Sequence, residues 1–343
     1  MKRTDGMQKV AVVGVNHIGR IHCKVYDQNP DCQLVAVCDL DQAVADRVAA
    51  EFQVKAYTDV AIMFQQEDVN LISVATAGEE NGSHHYQPVM EALHAGKHVF
   101  VEKPISNNIH EAKEMVALAE EKNVYLACDL NHRFVPAAYT AKDWIKRGEI
   151  GDILFVNMKL MIRNQKESSP WLQLRALHPH SLDVMRYFAG DVKRVQAFML
   201  KAPGRDIWST ASIHVEFRSG AIGHLTGSYD MSMRHPIEQC EVGGTKGRFV
   251  LDNIYEHLHL YPHEKDEATV VRNSIMNGVS GFEETFKRRI DCFIQEMTDG
   301  IAPSDIEASG ADALAVQLVI EAAIRSHQEG GKVIDVSYDA SYR

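Results

Sequence analysis

In the first third of the chain, apolar runs and helical patterns take turns. KVAVVGV (Lys9 to Val15), QLVAVCD (Gln33 to Asp39), VNLISVAT (Val69 to Thr76), KHVFVEK (Lys97 to Lys103) and VYLACDL (Val124 to Leu130) are near-continuous apolar stretches of strand length. Strands of this kind are buried on both faces, as in a parallel sheet. Between them Ile18 to Gln28, Asp41 to Phe52, Tyr86 to Ala95 and His110 to Lys122 carry helical spacing. The alternation predicts an α/β Rossmann domain with a doubly wound parallel sheet over residues 1–130.

The rhythm changes after Asn131. A helix is expected over Ala137 to Arg147, followed by long runs such as DILFVNMKLMIR, VKRVQAFML, TASIHVEF, AIGHLTGSYD and EQCEVGG, in which apolar and polar positions alternate. Alternation marks an antiparallel sheet with one covered face. Helices near Phe282 to Thr298 and Gly310 to His327 close the chain. Residues 131–343 are therefore expected to form an α+β domain with a large, open, mostly antiparallel sheet.

Composition narrows the partners. Over 343 residues, 45% hydrophobic and 24% charged, the chain carries a net charge of −11. That is the balance of a globular protein, and it disfavours nucleic acid or an anionic membrane as partner. No apolar run approaches the roughly 18 residues of a membrane span, and MKRTDGMQ lacks the apolar middle of a signal peptide, so a cytoplasmic location is expected. The six cysteines (Cys23, Cys32, Cys38, Cys128, Cys240, Cys292) show no CxxC spacing and read as reduced core thiols.

The first chemical motif is VAVVGVNHIGRIH. Gly14, Asn16 and Gly19 hold the three positions of a G-x-G-x-x-G fingerprint, directly after a strand and opening a helix. The first Gly makes the turn, and the helix N-terminus offers amide donors to a pyrophosphate. Asn16 departs from glycine but tolerates left-handed backbone angles. His17 and Ile18 complete this candidate cofactor turn, with Thr76 at the end of a neighbouring strand. Asp39, twenty residues beyond Gly19, stands where a carboxylate bonds the adenosine ribose, and its charge selects NAD over NADP. The alternative is that Asp39 caps the helix that follows.

VFVEKPIS places Glu102, Lys103 and Pro104 at the end of an apolar strand, where ligands lie in an open α/β sheet. Lys103 is expected beside the nicotinamide, with Pro104 stiffening the backbone and admitting a cis bond. The alternative is a solvated surface lysine.

GVNHIG, EALHAGKHVFVEKPIS, NHRFVP, GEIGDI, HPHSLD and ASGADALAVQLVIEAAIRSHQEGGKV together resemble the Gfo/Idh/MocA oxidoreductase family of glucose-fructose oxidoreductase and inositol dehydrogenases. The resemblance implies a second domain carrying the substrate pocket and oligomer contacts, as homodimer or homotetramer. It implies that Glu102 lies near the nicotinamide ribose, that Lys103 binds the reacting hydroxyl, and that His85 belongs to the cofactor loop. The family's D-x-x-x-H-x-x-D element aligns with ALHPHSLD, giving His180 as general base and Asp183 as trailing acid. The leading Asp is Ala176 here, so the Asp-assisted relay is missing. An imidazole titrating near neutral pH suits removal of a hydroxyl proton, and His178 is expected to replace the missing Asp in part.

The HPH pair has other readings. It could chelate a metal, yet no third ligand clusters with it, and no metal is expected; or one imidazole caps the helix Ser181 to Phe188. Arg133 is a candidate hydroxyl or anion clamp. Asn157, Lys159 and Arg163 share a strand face by period two, which puts Asn157 and Arg163 among candidate substrate contacts, and Trp171 offers a platform for a sugar ring. The expected partner is a small polyhydroxylated molecule. The leading function is an NAD-dependent dehydrogenase of a sugar, inositol or sugar derivative. The alternatives are a redox-neutral, NAD-using glycosidase or lyase acting through a transient keto-sugar, and a non-catalytic sensor.

Overall fold

The computed structural model describes residues 7–253, 256–272 and 279–338. The N-terminal stretch read for a leader lies, but for its last two residues, outside them.

The described residues fall into two compact units. In the first, the apolar runs form β1 (Gln8–Val13), β2 (Cys32–Cys38), β3 (Lys55–Tyr57), β4 (Leu71–Val74), β5 (His98–Val101) and β6 (Leu126–Cys128). They alternate with α1 (His17–Gln28), α2 (Gln42–Phe52), α3 (Val60–Gln66), α4 (Tyr86–His94) and α5 (Ile109–Lys122). The strands pair in parallel in the order β3-β2-β1-β4-β5-β6, the predicted doubly wound sheet. Burial on both faces explains the unbroken apolar sequence: all four residues of β4 are buried. The pair β3 and α3 escaped the pattern, since β3 is only three residues long and none of them is fully buried.

The second unit opens with a tight 3-10 turn at Asn131–Phe134, then α6 (Pro136–Lys146) and β7 (Ile153–Met161). A π-helical turn, Gln173–Leu177, leads into α7 (His178–Ala189). There follow β8 (Val192–Leu200), β9 (Thr210–Phe217), β10 (Ile222–Ser228), β11 (Glu238–Gly244), β12 (Gly247–Asp252), β13 (His257–Pro262) and β14 (Thr269–Arg272). The chain continues through α8 (Val279–Thr298) and α9 (Gly310–Gln328) to β15 (Ile334–Asp335). The described strands form a nine-stranded sheet, order β14-β13-β12-β11-β7-β10-β9-β8-β15, antiparallel but for β10 beside β7. Val156, Met158 and Leu160 of β7 are buried, and their partners Gly223, Leu225 and Gly227 on β10 share that face. Met185 and His178 of α7 close on Gly223 and Gly227, so α7 covers this face. The residues between them, Asn157 and Lys159, are exposed on the opposite face.

One unit runs to Leu130, and the other begins at Asn131. Phe286–Leu314 belongs to the first unit, where Ile290, Phe293, Ile294 and Ile306 join the core around Phe100 and Tyr26. Residues from Ala315 return to the second unit. Helical periodicity locates α8 and α9 but says nothing about which core each stretch enters. Among the described residues, no helix is long and apolar enough to cross a membrane.

Candidate active site

In the first unit, Gly14, Asp39, Thr76 and Glu102-Lys103 all follow the carboxyl ends of parallel strands. Gly14 has φ +79°, and a Cβ there would meet the Thr76 amide nitrogen at 2.7 Å. A Cβ on Gly19 would stand 1.9 Å from the Gly14 carbonyl oxygen. The two glycines thus serve the tight turn and the close entry of α1. Asn16 is the N-cap of α1 with φ −72° and no side-chain cap bond. Its tolerance of left-handed angles is therefore not used, which corrects the sequence argument. Asn16 and His17 are exposed at the helix N-terminus, and Ile18 is half-buried.

Asp39 accepts hydrogen bonds from the amides of Val15 (3.0 Å) and Asp41 (3.1 Å). The cap of α2 is Asp41, bonded to the Ala43 amide at 2.9 Å, so the capping alternative for Asp39 fails. Leu40, 94% exposed beside Asp39, is an apolar side chain that the sequence reading passed over.

Behind Lys103 lies a buried polar cluster. Glu102 Oε1 is 3.2 Å from His22 Nε2, and His22 Nδ1 is 2.9 Å from Ser73 Oγ. His22, Glu102 and Asp129 bring ligand-type atoms within 4.8 Å of one another. Two carboxyl groups this close do not both ionise. Burial pushes Glu102 up, but His22, Asp129 and the Lys103 ammonium together hold it below the usual carboxylate range. Burial and the Glu102 charge push Asp129 well above that range. Lys103 is half-buried; burial draws its ammonium below the ordinary lysine range, against the pull of Glu102 and Asp129. The Lys103–Pro104 bond is cis. His22 closes VAVVGVNHIGRIH and Asp129 lies in VYLACDL, but neither was singled out, because neither stands at a fingerprint position.

His85 is wholly buried, with Nδ1 2.8 Å from the Pro104 carbonyl and Nε2 2.7 Å from that of Thr76. Burial lowers its pKa. It ties the loop after β4 to the EKP segment, so any effect on the cofactor passes through that loop. Thr76 donates its hydroxyl to the His84 carbonyl at 2.8 Å.

In the second unit, His180 lies on α7 and is 8% exposed. The His132 ring stacks on it, centroids 3.9 Å apart and planes 9° apart. His132 Nδ1 in turn meets the Glu238 carboxylate at 3.1 Å.

Several expected substrate contacts are placed otherwise. Arg133 and Asp183 are buried and grip each other through Nε to Oδ2 (2.7 Å) and a second bond from Nη2 to Oδ1. His178 is fully enclosed. Gln173 Nε2 donates to its Nε2 at 2.6 Å, and its Nδ1 meets Ser181 Oγ at 3.0 Å. Burial pushes its pKa down to about 3, so the ring is neutral and packed against Gly227 rather than facing a ligand. Neither histidine caps α7: the N-cap is Leu177, and no side chain makes a cap bond.

Asn157 lies on the sheet face opposite α7, away from His178. Arg163 falls beyond the end of β7, where its backbone bridges to Asp230. There it lines a cavity of about 570 Å³ with Glu167, Arg205, Tyr229 and Asp230. Trp171 stacks on Trp208 (6.0 Å) and meets the His327 ring edge-on, which takes up part of the expected sugar platform. Ala176 packs among Leu160, Leu172, Leu177, Ile207 and Tyr229. An Asp at that position would be buried among apolar groups.

Residues 8–130 match the model of the oxidoreductase family with the NAD-binding Rossmann fold, GFO/IDH/MocA, and residues 139–250 match its C-terminal domain. The chain is 25% identical over 336 residues to the myo-inositol 2-dehydrogenase of Thermotoga maritima, covering 94% of this chain and 96% of that one. It is 26% identical over 259 residues to the D-glucoside 3-dehydrogenase of Escherichia coli, covering 67% of this chain and 73% of that one. Levoglucosan dehydrogenase in complex with NADH and L-sorbose superposes with TM-score 0.86 at 20% identity, covering 96% of this chain and 99% of that one, a likeness of fold. The chain belongs to the GFO/IDH/MocA family and is an NAD-dependent oxidoreductase.

Proposed function

We propose that this oxidoreductase acts on a secondary hydroxyl of a sugar, inositol or related polyol. The observation that carries the reading is Lys103, set at the carboxyl end of β5 with the buried Glu102, His22 and Asp129 behind it. A buried cluster of this kind is costly unless it fixes a reacting group.

The first unit has the features that NAD requires: a cradle at Gly14 and Gly19 that a Cβ would fill, free amides at the start of α1, and the Asp39 carboxylate. Asp39 would take the adenosine ribose hydroxyls, Leu40 would pack the adenine, and Glu102 and Lys103 would lie at the nicotinamide end. When bound, NAD supplies the hydride acceptor. Lys103 donates a hydrogen bond to the substrate oxygen and stabilises negative charge there as the proton leaves. His180, in the second unit, is the base that the resemblance of HPHSLD to the family's element implies. The second unit would also carry self-association, as dimer or tetramer, through the open sheet face that exposes Phe198, Leu200 and Ile222. Six free cysteines suit a reducing compartment such as the cytoplasm.

The test is nicotinamide absorbance with added NAD and a panel of myo-inositol, scyllo-inositol, levoglucosan and methyl β-D-glucoside. NADH formation is expected with at least one of them, and Lys103→Met should lower it on the order of 10³-fold while NAD still binds. Glycoside cleavage without NADH would replace the reading with redox-neutral chemistry, and silence with bound NAD would point to a sensor.

A further inference from the structure

In the second unit three consecutive residues are each fixed by a side-chain bond. Asn131 donates to Thr285 Oγ1 at 2.8 Å, His132 meets Glu238, and Arg133 clamps Asp183. Asp183 stands one helical turn beyond His180 on α7, so the Arg133 clamp locks the turn carrying His132 against the turn carrying His180. Offset parallel stacking is one of the arrangements that aromatic pairs prefer. This stack, at 3.9 Å and 9°, lies between the two turns that the Arg133 clamp joins. Glu238, 1% exposed, reaches the Nδ1 edge of the His132 ring from β11. A carboxylate so buried requires a specific partner.

We infer that Glu238, acting through the stacked His132 ring, supplies the carboxylate support for His180 that Ala176 does not supply. This rests on the proposed role of His180 as base. As His180 takes up a proton it becomes cationic, and the Glu238 charge one ring away stabilises that cation. His132 sets the plane of the ring. Glu238 and His132 are positioning residues, and only His180 meets the substrate. The other charged groups of these elements have partners of their own: Arg133 and Asp183 neutralise each other, Arg186 bonds Asp191, Glu241 bonds Arg248, and His178 is held by Gln173 and Ser181.

The test uses the full chain with NAD and the panel compound that the wild type oxidises fastest. Glu238→Gln keeps an acceptor for His132 and removes the charge; kcat should fall about 10–100-fold with KM within twofold. His132→Phe keeps a ring over His180 but breaks the link to Glu238, and should be equally slow. The double variant should be no slower than either, because both remove one support. A second readout needs no turnover: by NMR, the His180 ring protons should titrate at lower pH in Glu238→Gln than in the wild type.

Wild-type kcat in Glu238→Gln, or losses that multiply in the double variant, would overturn the inference. So would an unmoved His180 titration. Should the wild type oxidise nothing in the panel, the dehydrogenase reading fails by itself, and the NMR titration still decides whether Glu238 acts on His180.

Discussion

The two units treat buried charge in opposite ways. In the first, Glu102, Asp129 and His22 gather near two cations, the half-buried Lys103 at the carboxyl end of β5 and the buried Arg289. In the second, charges cancel each other: Arg133 and Asp183 close on each other in the interior, and the half-buried Arg175 bonds Glu321 at 2.8 Å and 3.0 Å. Under the proposed function Lys103 serves the substrate, whereas the Arg133–Asp183 pair holds a helix. The same residue types, each beside motif-like neighbours, therefore have different uses.

The sharpest way to break this contrast is at the internal pair. Arg133→Met leaves the Asp183 carboxylate buried without its clamp, and losing one partner of a buried ion pair costs about 3–5 kcal/mol. Urea unfolding should show that loss. A variant as stable as the wild type would mean that Arg133 is held for a ligand, as the sequence suggested, and not for α7.

A smaller effect is expected where His178 meets the sheet. A Cβ at residue 227 would stand 1.8 Å from His178 Nε2 and 2.6 Å from Gln173 Nε2. Both groups are fully buried and bonded to each other, so neither yields cheaply. Gly227→Ala should cost about 1–3 kcal/mol, as overpacking does. If His178 instead swung into open space to meet substrate, the extra methyl would be accommodated and the melting temperature would not move.

These cases show what a sequence can and cannot carry. The parallel sheet was legible because burial on both faces writes itself as continuous apolar runs, and the positions of Gly14, Asp39 and Lys103 follow from strand ends. The second unit's site was half-legible. His180 stands in a local motif, but His132 is supported by Glu238, 106 positions away, and no local spacing encodes that pairing. Period two put Asn157 and Arg163 on one face, yet β7 ends at Met161, so the rule was carried past the strand. It also could not say which face α7 covers. Arg133 was expected as a substrate clamp and Asp183 as the trailing acid; a sequence reports charges, and only packing reports that these two pair with each other.

The smallest expected effect tests the first unit's half of the contrast. Asp129 is raised above the usual carboxylate range by burial first and by the Glu102 charge next, with Arg289 and Lys103 opposing. A group whose folded pKa is raised adds stability below its unfolded pKa, and that stability is lost as pH rises through the folded value. The wild type should therefore lose stability as the solution becomes more alkaline, where Asp129→Asn, already neutral and of the same shape, should not. Near the ordinary carboxylate range the two should melt alike, and the gap in favour of the variant should widen with pH. Melting temperature against pH for both proteins measures it. A variant less stable at every pH above the ordinary carboxylate range would mean that Asp129 is needed as an anion. Lys103 would then answer to two negative charges, and the reading that the two carboxyl groups do not both ionise would have to be given up.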